Sequence, residues 1–520
     1  MRSPTTSSRS KRGGHMLLMG IDVGTTRFKI LMTRPNGEVV AESYRDYPIY
    51  RPKPTWAEVD LEEVWTSILA ETRRLIKRVR SERVLALAVS SQGETVVPVN
   101  RDGECLARAI SWTDRRTEEQ VHWWRNRYGA WELYQVTGQP LHPMFTVNKL
   151  MWLKKHKFEL YRKAYRFLCV EDFLNFKLTS NPVTDYSVAA RTMMFNVRKR
   201  EWSDDIINIA GLDRSRLPDL APSAKLIGEV KQDVARRMGL KGTVYVSTGG
   251  YDHSVAAFGA GITRESQALC DMGTTESVLT VTKRPIISRR LFEAGYACCP
   301  YVKENIFVVL SGILTAGAIL EWFRDQFGDR ERDTAKRRKT NAYEIMMEEA
   351  SSSQMGAMGL MLLPHFAGAA QPYSDSKSRG ALIGLRVFHT RNDFLRSIAE
   401  GILFEQRNNI DYQEPEGIRI SELRATGGGA INEFRLQLTA DILGKIVVVP
   451  NATEATAFGA ALLGGIGGKV YRSFEKAQKE ACRIKRVFFP RKDVRAKYNT
   501  SYQLHRKIYP SLKQIFQDMA

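Results

Sequence analysis

One five-residue pattern occurs twice, as Asp22-Val23-Gly24-Thr25-Thr26 near the start of the chain and as Asp271-Met272-Gly273-Thr274-Thr275 past its midpoint. Each copy sits between two apolar, β-rich runs, MLLMGIDVG and FKILMTRPNGEVVAES around the first, ALCDMG and ESVLTVT around the second. A glycine in a hairpin turn lets backbone N–H groups approach an anion closely, and the threonine hydroxyls add donors. One copy fits an ordinary hairpin as well as it fits a phosphate loop. Two copies, each opening half of the chain, point to an internally duplicated fold with a ligand held between the halves. At 520 residues the chain has room for two large lobes, each able to bury its own core.

The rest of the pattern is α/β. Residues 58–80 repeat apolar positions at helical spacing, VLALAVSS (84–91) is a short apolar run of the kind a buried strand requires, and 118–215 is dominated by helical patterns. TVYVSTGGYDHSVAAFGAGI (243–262) reads as strand, glycine turn and helix. The expected organisation is a disordered basic leader over 1–15, an N-terminal lobe over 16–263, a C-terminal lobe over 264–466 and a basic helical extension over 467–520.

Charge excludes some functions. The formal net charge is +21, and fifteen of those charges lie in residues 1–15 and 469–513, leaving the body mildly basic. A nucleic-acid reader needs a basic stripe with a recognisable reading motif, and none is present. No run approaches the ~18 apolar residues of a membrane helix, and the first fifteen residues carry no apolar signal region. The expectation is a cytoplasmic enzyme without nucleic-acid or membrane partners. Six cysteines lack metal-ligand spacing and read as reduced thiols.

Gly249-Gly250-Tyr251-Asp252-His253 places a carboxylate at a strand end beside two glycines. Such an aspartate either caps the following helix or accepts the proton of a hydroxyl attacking phosphorus. Its position just before the second Gly-Thr-Thr turn favours the second role. Asp22 stands where a carboxylate could hold hydrated Mg²⁺. ATGGGA (425–430) and FGAALLGG (458–465) suit backbone lying flat against a planar base and a helix packing closely.

Together with TWAEVD (55–60), SQGE (91–94), SWTDRR (111–116), TGQPLHPMFTVNKLMW (137–152), TDYSVAARTMMFNV (184–197), LPDLAPS (217–223) and GLMLLPHFAGAAQPYSD (359–375), this ordered set resembles the FGGY carbohydrate kinases. That family is a branch of the actin/Hsp70/sugar-kinase superfamily. The resemblance implies a two-lobed, duplicated ribonuclease H-like (actin-like ATPase) α/β fold with the active site in the interdomain cleft. It implies ATP-dependent phosphorylation of a sugar or polyol with Mg²⁺, and leaves a homodimer open. By the same resemblance Asp22, Gly24, Thr25 and Thr26 form the first phosphate loop, with Lys29 near the γ-phosphate. Gly273 and Thr274 form the second loop, and Gly317, Gly428, Gly429 and Asn432 line the nucleotide. Asp252 is the catalytic base, and Gln92, Glu94, Trp112, Asp252 and His253 contact the sugar, with Met144 and Phe145 at the pocket edge.

This chain departs from the family's subgroups at the sugar side. Glycerol kinases resemble it at the strand end but carry Arg-Glu where Gly93-Glu94 stands, tyrosine at Met144 and Asp-Gln at Asp252-His253. Xylulokinases usually have Met-His-Gly after the glutamine and Asp-Asn at the base. The acceptor class expected is therefore broad: a ketose, pentitol, tetritol or glycerol-like polyol. The alternative in a different class is an actin/Hsp70-like ATPase switch with no sugar substrate.

Overall fold

A computed structural model describes residues 16–79 and 82–519. The leader expected over 1–15 lies outside the described residues. The chain divides into two compact units: residues up to Thr263 with Cys299–Ile306 and Glu454–Arg483, and Arg264–Cys298 with Phe307–Thr453 and Ile484–Ala520.

The first unit is built on a six-stranded sheet of β1 (Met16–Val23), β2 (Arg27–Thr33), β3 (Val39–Asp46), β4 (Arg83–Ser91), β5 (Leu226–Glu229) and β6 (Tyr245–Tyr251), ordered β5-β6-β4-β1-β2-β3. β1, β2 and β3 form an antiparallel meander, while β4 and β6 run parallel to β1. Because β1 lies mid-sheet, it is buried on both faces and its sequence is apolar almost throughout. Leu17, Met19, Ile21 and Val23 join one core with Val64, Trp65, Ile68 and Leu75 of helix Leu61–Arg78. That helix starts where the Asp60 carboxylate accepts the Glu62 and Glu63 amides at 3.1 and 3.2 Å. Gly20, pointing to the opposite face, meets the backbone of helix Ala455–Gly467.

The second unit repeats this plan. Inside one further edge strand, its sheet runs β9 (Phe307–Ile313), β8 (Glu276–Thr282), β7 (Gln267–Met272), β10 (Glu422–Thr426), β11 (Ile446–Pro450) and β12 (Ile484–Phe488). β7, β8 and β9 are an antiparallel meander, and β10 and β11 run parallel to β7. The two Asp-x-Gly-Thr-Thr patterns therefore mark equivalent hairpins of equivalent sheets, each a mixed α/β layer.

The expected run of 264–466 as one lobe followed by an extension is corrected by the packing. Helix Ala455–Gly467 belongs to the first unit, because its glycines bring its backbone against β1 and β4. The basic extension expected over 467–520 is split: its part up to Arg483 goes with the first unit, and from Ile484 it is integral to the second, where β12 pairs with β11 and helix Lys492–Asp518 buries Tyr498 and Tyr502 in the core. The six cysteines are all free thiols. No helix among the described residues is long and apolar enough to cross a membrane.

Candidate active site

Parallel strands end at the same edge of a sheet, so the residues just after them are neighbours. In the first unit Val23 pairs with Ser91 and Ser91 with Tyr251, which sets Gly24, Gln92 and Asp252 side by side beyond β1, β4 and β6.

The β1–β2 turn closes with the Gly24 amide donating to the Arg27 carbonyl at 3.0 Å. Tyr47 donates to the Gly24 carbonyl, and the Trp112 indole donates to Thr25 Oγ1 at 2.9 Å. Trp112 thus braces the loop, a role that the sugar-contact expectation did not include. Asp22 is buried and its Oδ1 has no protein partner. Burial, reinforced by the charge of Asp252, pushes its carboxyl up to about 8 against the opposing effect of Lys29. Lys29 faces Asp22 across the hairpin and is ion-paired with Glu454. Asp252 is the first residue of helix Asp252–Gly259, where the aligned amides favour a negative charge, and its Oδ1 accepts the His253 amide at 2.8 Å. The His253 ring stacks on Tyr251 at 5.2 Å between centroids, and its Nδ1 is buried without a partner.

Gln92 is 3% exposed, and both atoms of its amide lack hydrogen-bond partners. Orphaned buried amides are costly unless a ligand completes them. Glu94 does not present a free carboxylate. It is buried in a left-handed conformation (φ 60°), and its Oε1 accepts from Arg191 Nε at 2.6 Å while Lys149 donates to its carbonyl at 2.8 Å. Arg191 also donates to Gln139 Oε1 at 2.8 Å and lies between the rings of Phe145 and Tyr251, 5.3 and 5.0 Å from their centroids. Burial pushes Lys149 down to about 8 and raises Glu94 despite Arg191. Arg191 had gone unassigned within its motif. Met144 adjoins Phe145, its amide donating to His142 Nδ1 at 3.2 Å.

The second unit repeats the device with different furnishings. The β7–β8 turn closes through the Gly273 amide and Thr275 carbonyl at 3.1 Å. Helix Gly317–Phe327 begins on that turn: the Gly317 amide donates to the Gly273 carbonyl at 3.2 Å, and the Ala316 and Ala318 amides to the Thr274 carbonyl. A Cβ on Gly317 would lie 2.5 Å from the Gly273 oxygen, so the approach requires glycine. Asp271 pairs with Thr426 on parallel β10, which brings Gly427–Gly429 beside the Gly273 turn. Gly273, Thr274, Gly317, Gly428 and Gly429 line a cavity of about 400 Å³ closed by Leu320, Tyr343, Met346 and Arg435. The cavity's lining mixes apolar side chains, charged side chains and glycine backbone.

Asn432 is the exception. It caps helix Glu433–Leu443 by accepting the Arg435 amide at 3.0 Å and donates to Glu344 at 2.7 Å, so it organises the elements behind the cavity and does not line it. An asparagine directly after a glycine turn and before a helix is well suited to capping. Arg435, another residue the sequence did not single out, donates to Glu276 Oε1 at 2.7 Å as a fully buried pair beneath β8.

The family model described as the FGGY family of carbohydrate kinases, N-terminal domain, matches residues 17–259, and its C-terminal domain matches 268–468. The chain is 30% identical over 500 residues to a xylulose kinase of Bacillus subtilis (strain 168), covering 96% of this chain and 97% of that one. It is 27% identical over 448 residues to a gluconokinase of the same organism, covering 86% of each. The crystal structure of ligand-bound xylulose kinase from Lactobacillus acidophilus has the same fold, with a TM-score of 0.88 at 24% identity over 97% of this chain and all of that one. The chain belongs to the FGGY family of carbohydrate kinases, ATP-dependent phosphotransferases with an alcohol group as acceptor.

Proposed function

We propose that this kinase phosphorylates a hydroxyl of a sugar or polyol, a ketose, pentitol, tetritol or glycerol-like acceptor, in the cytoplasm. The observation that carries the reading is the orphaned Gln92 amide on the strand end between Asp22 and Asp252. Its unpartnered NH2 and carbonyl oxygen can both donate and accept, which suits a hydroxylated ligand beside a candidate base.

Asp252 orients the acceptor hydroxyl and takes its proton as that oxygen attacks the γ-phosphorus of ATP, while the bond from that phosphorus to the β,γ-bridging oxygen breaks and ADP leaves. The hydroxyls of Thr25 and Thr26 and the amides of the Gly24 turn donate to phosphate oxygens in the first unit. Those of Gly273 and Thr274 do so in the second, where the glycine-lined cavity takes the adenosine. Glu94 is held rigid by Arg191 and Lys149, so the pocket wall it forms keeps its shape.

The donor set fits Mg²⁺. Asp22 presents a buried, unpartnered oxygen near a second carboxylate, and the nearest cation, Lys29, is already engaged by Glu454. Among the described residues no cluster of three His, Cys, Asp or Glu could hold an ion unaided, as expected of a metal that keeps several waters and shares its shell with phosphates. Asp22 would hold it, and the ion would neutralise phosphate charge.

Incubation with ATP and Mg²⁺ against a panel of ketoses, pentitols, tetritols and glycerol, read as ADP release and as phosphorylated product by mass spectrometry, tests the reading. At least one acceptor is expected to raise ADP release about tenfold or more over water alone. No phosphorylated product from any of them would refute it.

A further inference from the structure

β6 leaves its ladder with β4 between Ser247 and Gly250. A break of this kind frees backbone groups that must find partners when buried. Side chains supply them here. The Gly249 amide donates to Glu171 Oε1 at 2.8 Å, the Tyr251 amide donates to Ser187 Oγ at 2.9 Å, and the Gly250 carbonyl accepts from Ser90 Oγ at 3.1 Å. Three consecutive residues before Asp252 are thus held by side chains of three other segments.

The holding groups are themselves fixed. Glu171, Asp185 and Ser187 are completely buried. The Ser187 hydroxyl donates to Asp185 Oδ2 at 2.8 Å, and Asp185 also accepts the Ser187 and Val188 amides and the Ser223 hydroxyl. The Glu171 amide donates to Ser91 Oγ at 3.1 Å, tying helix Val170–Thr179 to the end of β4. A Cβ on Gly249 would lie 1.8 Å from the Val89 carbonyl oxygen, so the strand has no room to settle closer to β4. A carboxyl buried to receive the Gly249 amide and, at 3.4 Å, the Asn175 side-chain amide is an expensive way to gain stability. What it provides is a fixed backbone path. Burial and the neighbouring Asp185 and Asp172 hold the Glu171 carboxyl well above the ordinary range.

We propose that Glu171 and Ser187 are positioning residues that fix the strand end from which Asp252 projects. The proposal rests on the reading of Asp252 as the base. Glu171→Leu and Ser187→Ala each remove one of the three holds, whereas Glu171→Gln keeps the oxygen that accepts the Gly249 amide. In steady-state kinetics with ATP and the preferred acceptor, the first two are expected to lose roughly ten- to hundredfold in kcat. ADP affinity should stay within about twofold and acceptor KM within about threefold of the native values, since neither group touches a ligand. Glu171→Gln is expected to recover kcat to within about threefold of native by the same measure.

Native kcat in a folded Ser187→Ala or Glu171→Leu protein overturns the proposal, as does a Gln variant as impaired as the Leu variant. If Glu171→Leu does not fold, Ser187→Ala decides alone, because it deletes a single hydroxyl. Asp252→Asn is measured alongside. Should it keep turnover, the base assignment fails and takes this proposal with it. If it is inactive while Ser187→Ala and Glu171→Leu are native-like, only the positioning role fails.

Discussion

Arg191 and Glu94 show what a single side chain does in this pocket. They form a buried pair 97 positions apart in the chain, and a Cβ on Gly93 would come within 2.7 Å of the Arg191 Cβ. The glycine after Gln92 is therefore the space into which Arg191 packs. Arg191→Met strands the Glu94 carboxylate without its cation, and the expected cost is about 3–5 kcal/mol of stability together with a raised acceptor KM, read by thermal melting and initial rates. That Asp22, Gly24, Gln92 and Asp252 come together at one sheet edge follows from short motifs at strand ends, each visible within a few residues of sequence. Arg191 and Gln139 lie in sequence motifs but drew no role there, and Arg435 lies in none, since the partners that give all three their roles are distant in sequence. Asn432 misled for the opposite reason: a polar residue after a glycine run looks like a ligand contact, and capping uses the same residue.

At the level of elements, glycine has two separable jobs here. Helix Ala455–Gly467 packs by backbone contact: a Cβ on Gly20 would lie 1.8 Å from the Ala457 carbonyl oxygen, one on Gly459 2.2 Å from that of Val255, and one on Gly464 2.6 Å from the Leu87 backbone. The close helix packing expected of the FGAALLGG glycines is what the structure shows. Gly428, by contrast, has nothing within 4 Å of a built Cβ and sits on the cavity wall. Gly459→Val is expected to destabilise by 3 kcal/mol or more, about the upper end of core overpacking, and to express poorly. Gly428→Val should leave the melting temperature within about a degree or two of native while weakening ADP binding, measured by calorimetry. Equal effects of the two on stability would contradict the division.

For the whole molecule, the duplicated sheet plan was readable because both copies of its turn survive in the sequence. The return of Glu454–Arg483 to the first unit was not, because contacts such as Gly20 with Ala457 span more than four hundred residues and leave no periodic trace. Global stability also carries the signature of buried acids. Burial pushes the Asp172 carboxyl from 3.8 up to about 7, and burial raises Asp185 and Glu171 as well. The folded state then binds more protons than the unfolded chain between about pH 4 and 7, so the contribution of these groups to stability falls as pH rises through that window. The melting temperature is expected to drop by a few degrees between pH 5 and 8, and by less in Asp172→Asn, which keeps the oxygen that accepts the Cys169 amide.

The central claim is that Asp252 takes the proton of an acceptor hydroxyl while other residues hold the nucleotide. Single-turnover phosphorylation by Asp252→Asn, with ADP affinity measured on the same preparation, tests it most directly. The expected result is transfer slowed about a thousandfold or more with ADP affinity essentially native. Transfer at more than about a tenth of the native rate would contradict the claim.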